Sequence, residues 1–181
     1  MSVTSQLKEY LRGSEFRDGL VQQYTRFEIL SEGGLRTAAA NLIREKLQTL
    51  GDAAMDYRVT CEVRLKEIRV VPDILIWKKG HPRIWIELKD TKQFDQKRAE
   101  RDWQKLQTCR KRFLTVKAGY LIYVARHGDG KIPIKRDRNT RRYWLVEIAV
   151  KPRISDFIRW DKEYSQRAHY APKKVLRQEV S

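Results

Sequence analysis

Between Val71 and Lys89 the chain reads VPDILIWKKGHPRIWIELK, and no other stretch limits the fold so tightly. Two apolar runs of strand length flank Lys79-Gly80, a pair suited to a tight turn. Side chains alternate across a strand, so Trp85, Glu87 and Lys89 share one face while Ile84, Ile86 and Leu88 share the other. Ile74 and Ile76 on the first run complete an apolar face that belongs under a covering helix, not at a rim. A solvated surface hairpin would not need that face. The opposite face carries the chemistry. Charges seldom sit on a largely buried strand without a partner or a task. Asp73 follows Pro72 at the start of the first run, and in an antiparallel pair its carboxylate can meet that of Glu87. Two converging carboxylates beside an ammonium make a site for a hard divalent cation and the phosphate and water it orients.

A Pro-Asp, a spacer of 13 residues, and then Glu87-Leu88-Lys89 resembles the signature of the PD-(D/E)XK nuclease superfamily, the restriction-endonuclease-like fold. The resemblance implies that Asp73 and Glu87 are metal-binding carboxylates and that Lys89 positions or deprotonates the attacking water. It implies further that the backbone carbonyl of Leu88 is a metal ligand, and that the cofactor is Mg²⁺, with Mn²⁺ as a substitute. Members of the superfamily often carry another acid on the helix before the motif strands. Glu32 is the candidate here, because helical spacing aligns it with Leu35 and Ala39 toward the sheet; Glu28 and Glu45 fit less well. A favourable charge at a helix N-terminus is the plainer account of Glu32. Some exonuclease branches place a glutamine and a tyrosine four residues apart on the following helix. Gln104 is followed instead by Thr108, and Gln107 by Lys111, which favours an endonuclease over an exonuclease.

The charge balance agrees with a polyanionic partner. Lys and Arg number 39 against 23 Asp and Glu, a formal net charge of +16, which points to nucleic acid, DNA first, ahead of an anionic membrane surface. Outside the motif strands, the segment Arg126 to Arg142 is the strongest contact candidate. Its Arg126, Lys131, Lys135, Arg136, Arg138, Arg141 and Arg142 can pair with phosphates, and Gly128 and Gly130 permit close backbone approach. Lys105 on the following helix is a further candidate. A basic nucleic-acid-binding protein without catalysis, or a subunit of a larger DNA-processing complex, is the alternative function. Restriction, structure-specific resolution, repair, transposition and defence all remain open.

At 181 residues the chain suits one domain with a proper core, expected over 28–150, with a polar N-terminal segment 1–27 and a C-terminal tail 151–181 as peripheral elements. The expected order is a helix from about Gly34 to Leu50 capped by Ser31, strands at Tyr57 to Leu65, Arg69 to Trp77 and Ile84 to Lys89, a helix from Phe94 to Phe113, and strands at Tyr120 to Ala125 and Tyr143 to Val150. That order predicts an α/β fold of mixed character, a central mixed sheet flanked by helices. Cys61 and Cys109 match no zinc or disulfide spacing, which favours a reducing cytoplasm, and His81, His127 and His169 show no ligand spacing. No run approaches membrane-spanning length. A chain this short leaves room for a homodimer or a protein partner, and cutting both strands of a duplex with this site requires two copies.

Overall fold

The computed structural model describes residues 1–26, 28–29, 31–65, 70–91, 96–125 and 143–149. The expected contact segment, with Arg126, Lys131, Lys135, Arg136, Arg138, Arg141 and Arg142, lies outside these residues, as does the tail from Pro152. The element order is α1 (Val3–Arg12), α2 (Ser14–Thr25), α3 (Glu32–Thr49), a short 3₁₀ turn (Gly51–Ala54), β1 (Tyr57–Cys61), β2 (Ile74–Lys78), β3 (His81–Thr91), α4 (Gln96–Arg112), β4 (Ala118–Ala125) and β5 (Tyr143–Ala149). The five strands form one sheet in sequence order. β1, β2 and β3 pair antiparallel, whereas β3, β4 and β5 pair parallel. The fold is therefore α/β with a mixed sheet, and α4 supplies the crossover that a parallel β3–β4 pair requires.

Both faces of the sheet are covered, and the alternation in β2 and β3 sorts their side chains between them. Ile74, Ile76, Ile84, Ile86 and Leu88 pack into one cluster with α1, α2 and α3. Leu75 and Trp85 join Leu106 of α4 and Leu121 and Tyr123 of β4 in the other. Ala38, Ala39 and Ala40 are buried on α3, where small side chains let the helix lie close to the strands. Ser31 caps α3 by accepting the Gly34 N–H at 3.1 Å.

The N-terminal segment is not peripheral. Leu7, Leu11, Phe16 and Leu20 are fully buried, and Tyr24 nearly so. Three hydrogen bonds tie α1 into the domain: the Tyr10 hydroxyl to the Leu42 carbonyl, the Tyr120 hydroxyl to the Lys8 carbonyl, and Thr4 with the Tyr57 hydroxyl. Its polar composition belongs to the outer faces of two amphipathic helices, whose apolar residues recur at helical spacing.

The first strand is shorter than its alternation suggests. Glu62 takes a left-handed backbone, φ 52°, and ends β1 at Cys61. Val59 and Cys61 lean on the cluster under α1 to α3, whereas Val63 and Leu65 belong to the cluster under α4. One residue in the left-handed region breaks the period of two, so the residues from 57 to 65 do not share a face.

Candidate active site

The β2–β3 hairpin builds the site. Lys79 and Gly80 both have positive φ, 49° and 75°, the geometry of a two-residue turn whose twist matches the strands. From that turn Lys78 pairs with His81 and Trp77 with Pro82, but Ile76 pairs with Ile84. Arg83 is thus the extra residue of a β-bulge. Had the register run on from the turn unbroken, Asp73 would stand opposite Ile86. The bulge moves every later pairing by one residue, so that Ile74 faces Ile86, and Asp73, immediately beyond the ladder, comes within electrostatic reach of Glu87. Glu87 lies with Trp85 on the α4 side of the sheet, whereas Asp73, just before β2, is within reach of Arg36 from α3.

Each acid is held differently. Asp73 Oδ2 accepts the Leu88 main-chain N–H at 2.7 Å, while Arg36 from α3 stands 3.5 Å from Oδ1 and 2.9 Å from Glu62. Glu87 is 2% exposed, and its Oε1 accepts the Trp85 indole N–H at 2.7 Å. Burial raises the Glu87 pKa from 4.5 to about 8, with the Asp73 charge pushing the same way; the Trp85 hydrogen bond and the Lys105 charge oppose the rise. Metal-free, the pair cannot comfortably carry two negative charges.

Two lysines attend the carboxylates. Lys89 is 8% exposed and donates to Glu32 Oε1, at the first turn of α3, over 3.2 Å. Lys105 on α4 donates to Asp102 Oδ1 at 2.7 Å. Burial disfavours the Lys105 charge, yet the Asp102 hydrogen bond and the Glu87, Asp102 and Asp73 carboxylates outweigh it and hold the ammonium above the ordinary lysine range. Asp102 itself is 3% exposed and lies 3.8 Å from Lys89.

The structure therefore gathers Asp73, Glu87, Lys89, Glu32 and Lys105 at one place. Glu28 and Glu45 are both exposed. The Leu88 peptide lies against Asp73, and the contact observed is made by its N–H. Sequence reasoning missed Arg36 and Asp102, although both carried a signal. Arg36 is one turn beyond Glu32 on the same helix face, and Asp102 is one turn before the buried Leu106.

Among the described residues, no group of three or more His, Cys, Asp and Glu side chains gathers around a point that a metal ion could occupy. The donors on offer are two carboxylates with main-chain groups beside them. That set suits a hard cation that keeps most of its waters, such as Mg²⁺, and not a fully protein-caged ion such as structural zinc. The mutual repulsion of Asp73 and Glu87 is a second sign of fit, because a cation between them would relieve it. No helix among the described residues is long and apolar enough to cross a membrane. The chain matches no family model, and no curated protein or solved structure is significantly similar to it.

Proposed function

We propose that the chain is a metal-dependent nuclease of the PD-(D/E)XK type, hydrolysing phosphodiester bonds in nucleic acid, with DNA endonuclease activity the best fit. The observation that carries the reading is the convergence of Asp73 and Glu87 at the end of a buried hairpin with Lys89 two residues along. A nearly buried acid whose charge is disfavoured by its own fold is hard to explain as a purely structural group. The charge of +16 supplies attraction for a polyanion.

Asp73 and Glu87 would hold Mg²⁺ or Mn²⁺, and the ion would supply a more acidic bound water and neutralise charge on the phosphate. The Leu88 N–H and Arg36 fix the orientation of the Asp73 carboxylate. The Trp85 indole fixes Glu87. Lys89, restrained by Glu32, presents an ammonium that would orient the attacking water and stabilise negative charge on the phosphoryl oxygens of the pentacoordinate transition state. Glu32 acts through Lys89 in this arrangement.

The test is incubation of the purified chain with supercoiled plasmid and with single-stranded DNA, in Mg²⁺, in Mn²⁺ and in EDTA. Nicking or linearisation in the metal lanes, abolished in Asp73→Ala, Glu87→Ala and Lys89→Ala while DNA binding persists, is the expected result. Cleavage that survives in all three variants, or a mobility shift without nicks in every lane, rejects catalysis at this site; the second outcome favours a non-catalytic binder.

A further inference from the structure

Asp102 has no place in the signature, yet it is buried on α4, with 4% of its side chain exposed. Its two oxygens are unequal. Oδ1 accepts the Lys105 ammonium at 2.7 Å. Oδ2 has no hydrogen-bond donor among the described residues, although the Lys89 ammonium stands 3.8 Å from it. Lys89 hydrogen-bonds Glu32 across the site, so one ammonium lies between two carboxylates and is fully bonded to one of them. An ammonium carries three donors, enough to serve both. The helix thus places one buried acid between two lysines, of which Lys105 also acts electrostatically on Glu87 and Asp73 while Lys89 is joined to that group through Asp102.

We propose that Asp102 is a positioning residue that holds Lys89 and Lys105 as a paired ammonium clamp for a single backbone phosphate of the nucleic acid. This inference rests on the nuclease reading. Lys89 approaches from the sheet and Lys105 from the helix, so the phosphate is met from two directions and its non-bridging oxygens are both matched by donors. The open Oδ2 has a purpose in this arrangement. Lying 3.8 Å from the Lys89 ammonium, it is a second carboxylate oxygen beside Glu32 to hold that charge in place. Lys105, with 44% of its side chain exposed, reaches the solvent side where a strand of nucleic acid arrives.

Asp102→Asn keeps the shape and one acceptor while removing the charge, and it is compared with the wild-type chain in three measurements. In cleavage of a duplex oligonucleotide with Mg²⁺, kcat is expected to fall about 10- to 100-fold, the usual cost of removing an orienting partner, with KM changed less than about twofold. In ¹⁵N spectra of the lysine side chains, the Lys105 ammonium signal, protected by its Asp102 hydrogen bond, is expected in the wild type and lost in the variant, while the Lys89 signal, held by Glu32, is expected to shift. Inorganic phosphate titrated into the wild type is expected to perturb both signals together.

Wild-type kcat in Asp102→Asn overturns the proposal, as do a Lys105 signal that persists in the variant, a Lys89 signal that does not move there, or either signal ignoring phosphate. A wild-type chain that cuts nothing rejects the nuclease reading, and the two spectroscopic measurements then still decide whether Asp102 organises a phosphate clamp.

Discussion

Asp73 meets Glu87 just beyond the end of the β2–β3 ladder, whose register is set by Arg83 bulging out of β3 between the acids and the turn. The Lys79-Gly80 turn fixes the register at one end of the hairpin, and the bulge resets it before the carboxylates are reached. A shift of one residue sends a side chain to the opposite face of a sheet. The meeting of the two acids is thus a consequence of one extra residue far from either of them.

Removing Arg83 is expected to let the ladder run on from the turn and to set Asp73 opposite Ile86. Glu87 would then lose its partner acid, and either Asp73 or the isoleucines would face the wrong layer. Arg83→Ala keeps the bulge and serves as the control. Calorimetric titration with Mg²⁺ should give binding in the wild type and in Arg83→Ala, and none in the deletion. Binding retained by the deletion would mean that the bulge does not set the site.

The proton on Glu87 gives the metal-free protein an unusual pH dependence. Unfolded, this carboxyl releases its proton near pH 4.5; folded, it keeps it to about pH 8. The folded state is therefore favoured by protonation, and the contribution, full below pH 4.5, is lost as pH rises to about 8. In EDTA, Tm should decline across that window, by an amount corresponding to a few kcal/mol at most. Glu87→Gln has no proton to lose and should be flatter. Added Mg²⁺ should restore most of the loss above pH 7, because the ion stabilises the charged pair. A metal-free Tm that is equally flat in both proteins would contradict the burial of an ionisable Glu87.

Trp85 tunes the same carboxylate. Its indole N–H favours the charged form, so Trp85→Phe should raise the proton affinity of Glu87 further. The lost hydrogen bond to a charged group corresponds to about 1.5–3 kcal/mol. Mg²⁺ affinity should then peak at higher pH in the variant than in the wild type, which isothermal titration at several pH values measures. Equal pH profiles would assign Trp85 to packing alone.

Much of this was readable from local pattern, and the exceptions share one physical cause. The hairpin, α3 and the faces of β2 and β3 follow from a turn pair, a capping serine and a period of two, all of which act over a few residues. Asp73, Glu87, Lys89 and Glu32 came with them. Arg36 and Asp102 did not, because their roles arise from where α3 and α4 settle on the sheet. The burial of the N-terminal helices is illegible locally for a related reason: Leu7, Leu11, Phe16 and Leu20 are few among polar neighbours, and only the assembled core reveals how completely they are used. The bulge at Arg83 had a faint signal in Pro82, since a proline inside a strand favours such irregularities.

Arg36 occupies the position of a resident counter-ion. Its guanidinium bridges Glu62 at 2.9 Å and Asp73 at 3.5 Å, and it offsets part of the negative charge that Asp73 presents to Glu87. Arg36→Met keeps the length of the side chain and removes the charge, so the metal-free pair should repel more strongly. The loss should be on the order of 1–3 kcal/mol, because Asp73 is mostly buried while Glu62 is exposed and contributes little. Mg²⁺ brings its own charge to the carboxylates and should make up most of the difference. The gap in Tm between Mg²⁺ and EDTA should therefore be wider in Arg36→Met than in the wild type, as differential scanning calorimetry at pH 8 measures. A gap that narrows would mean that Arg36 supports the bound ion instead of standing in for it.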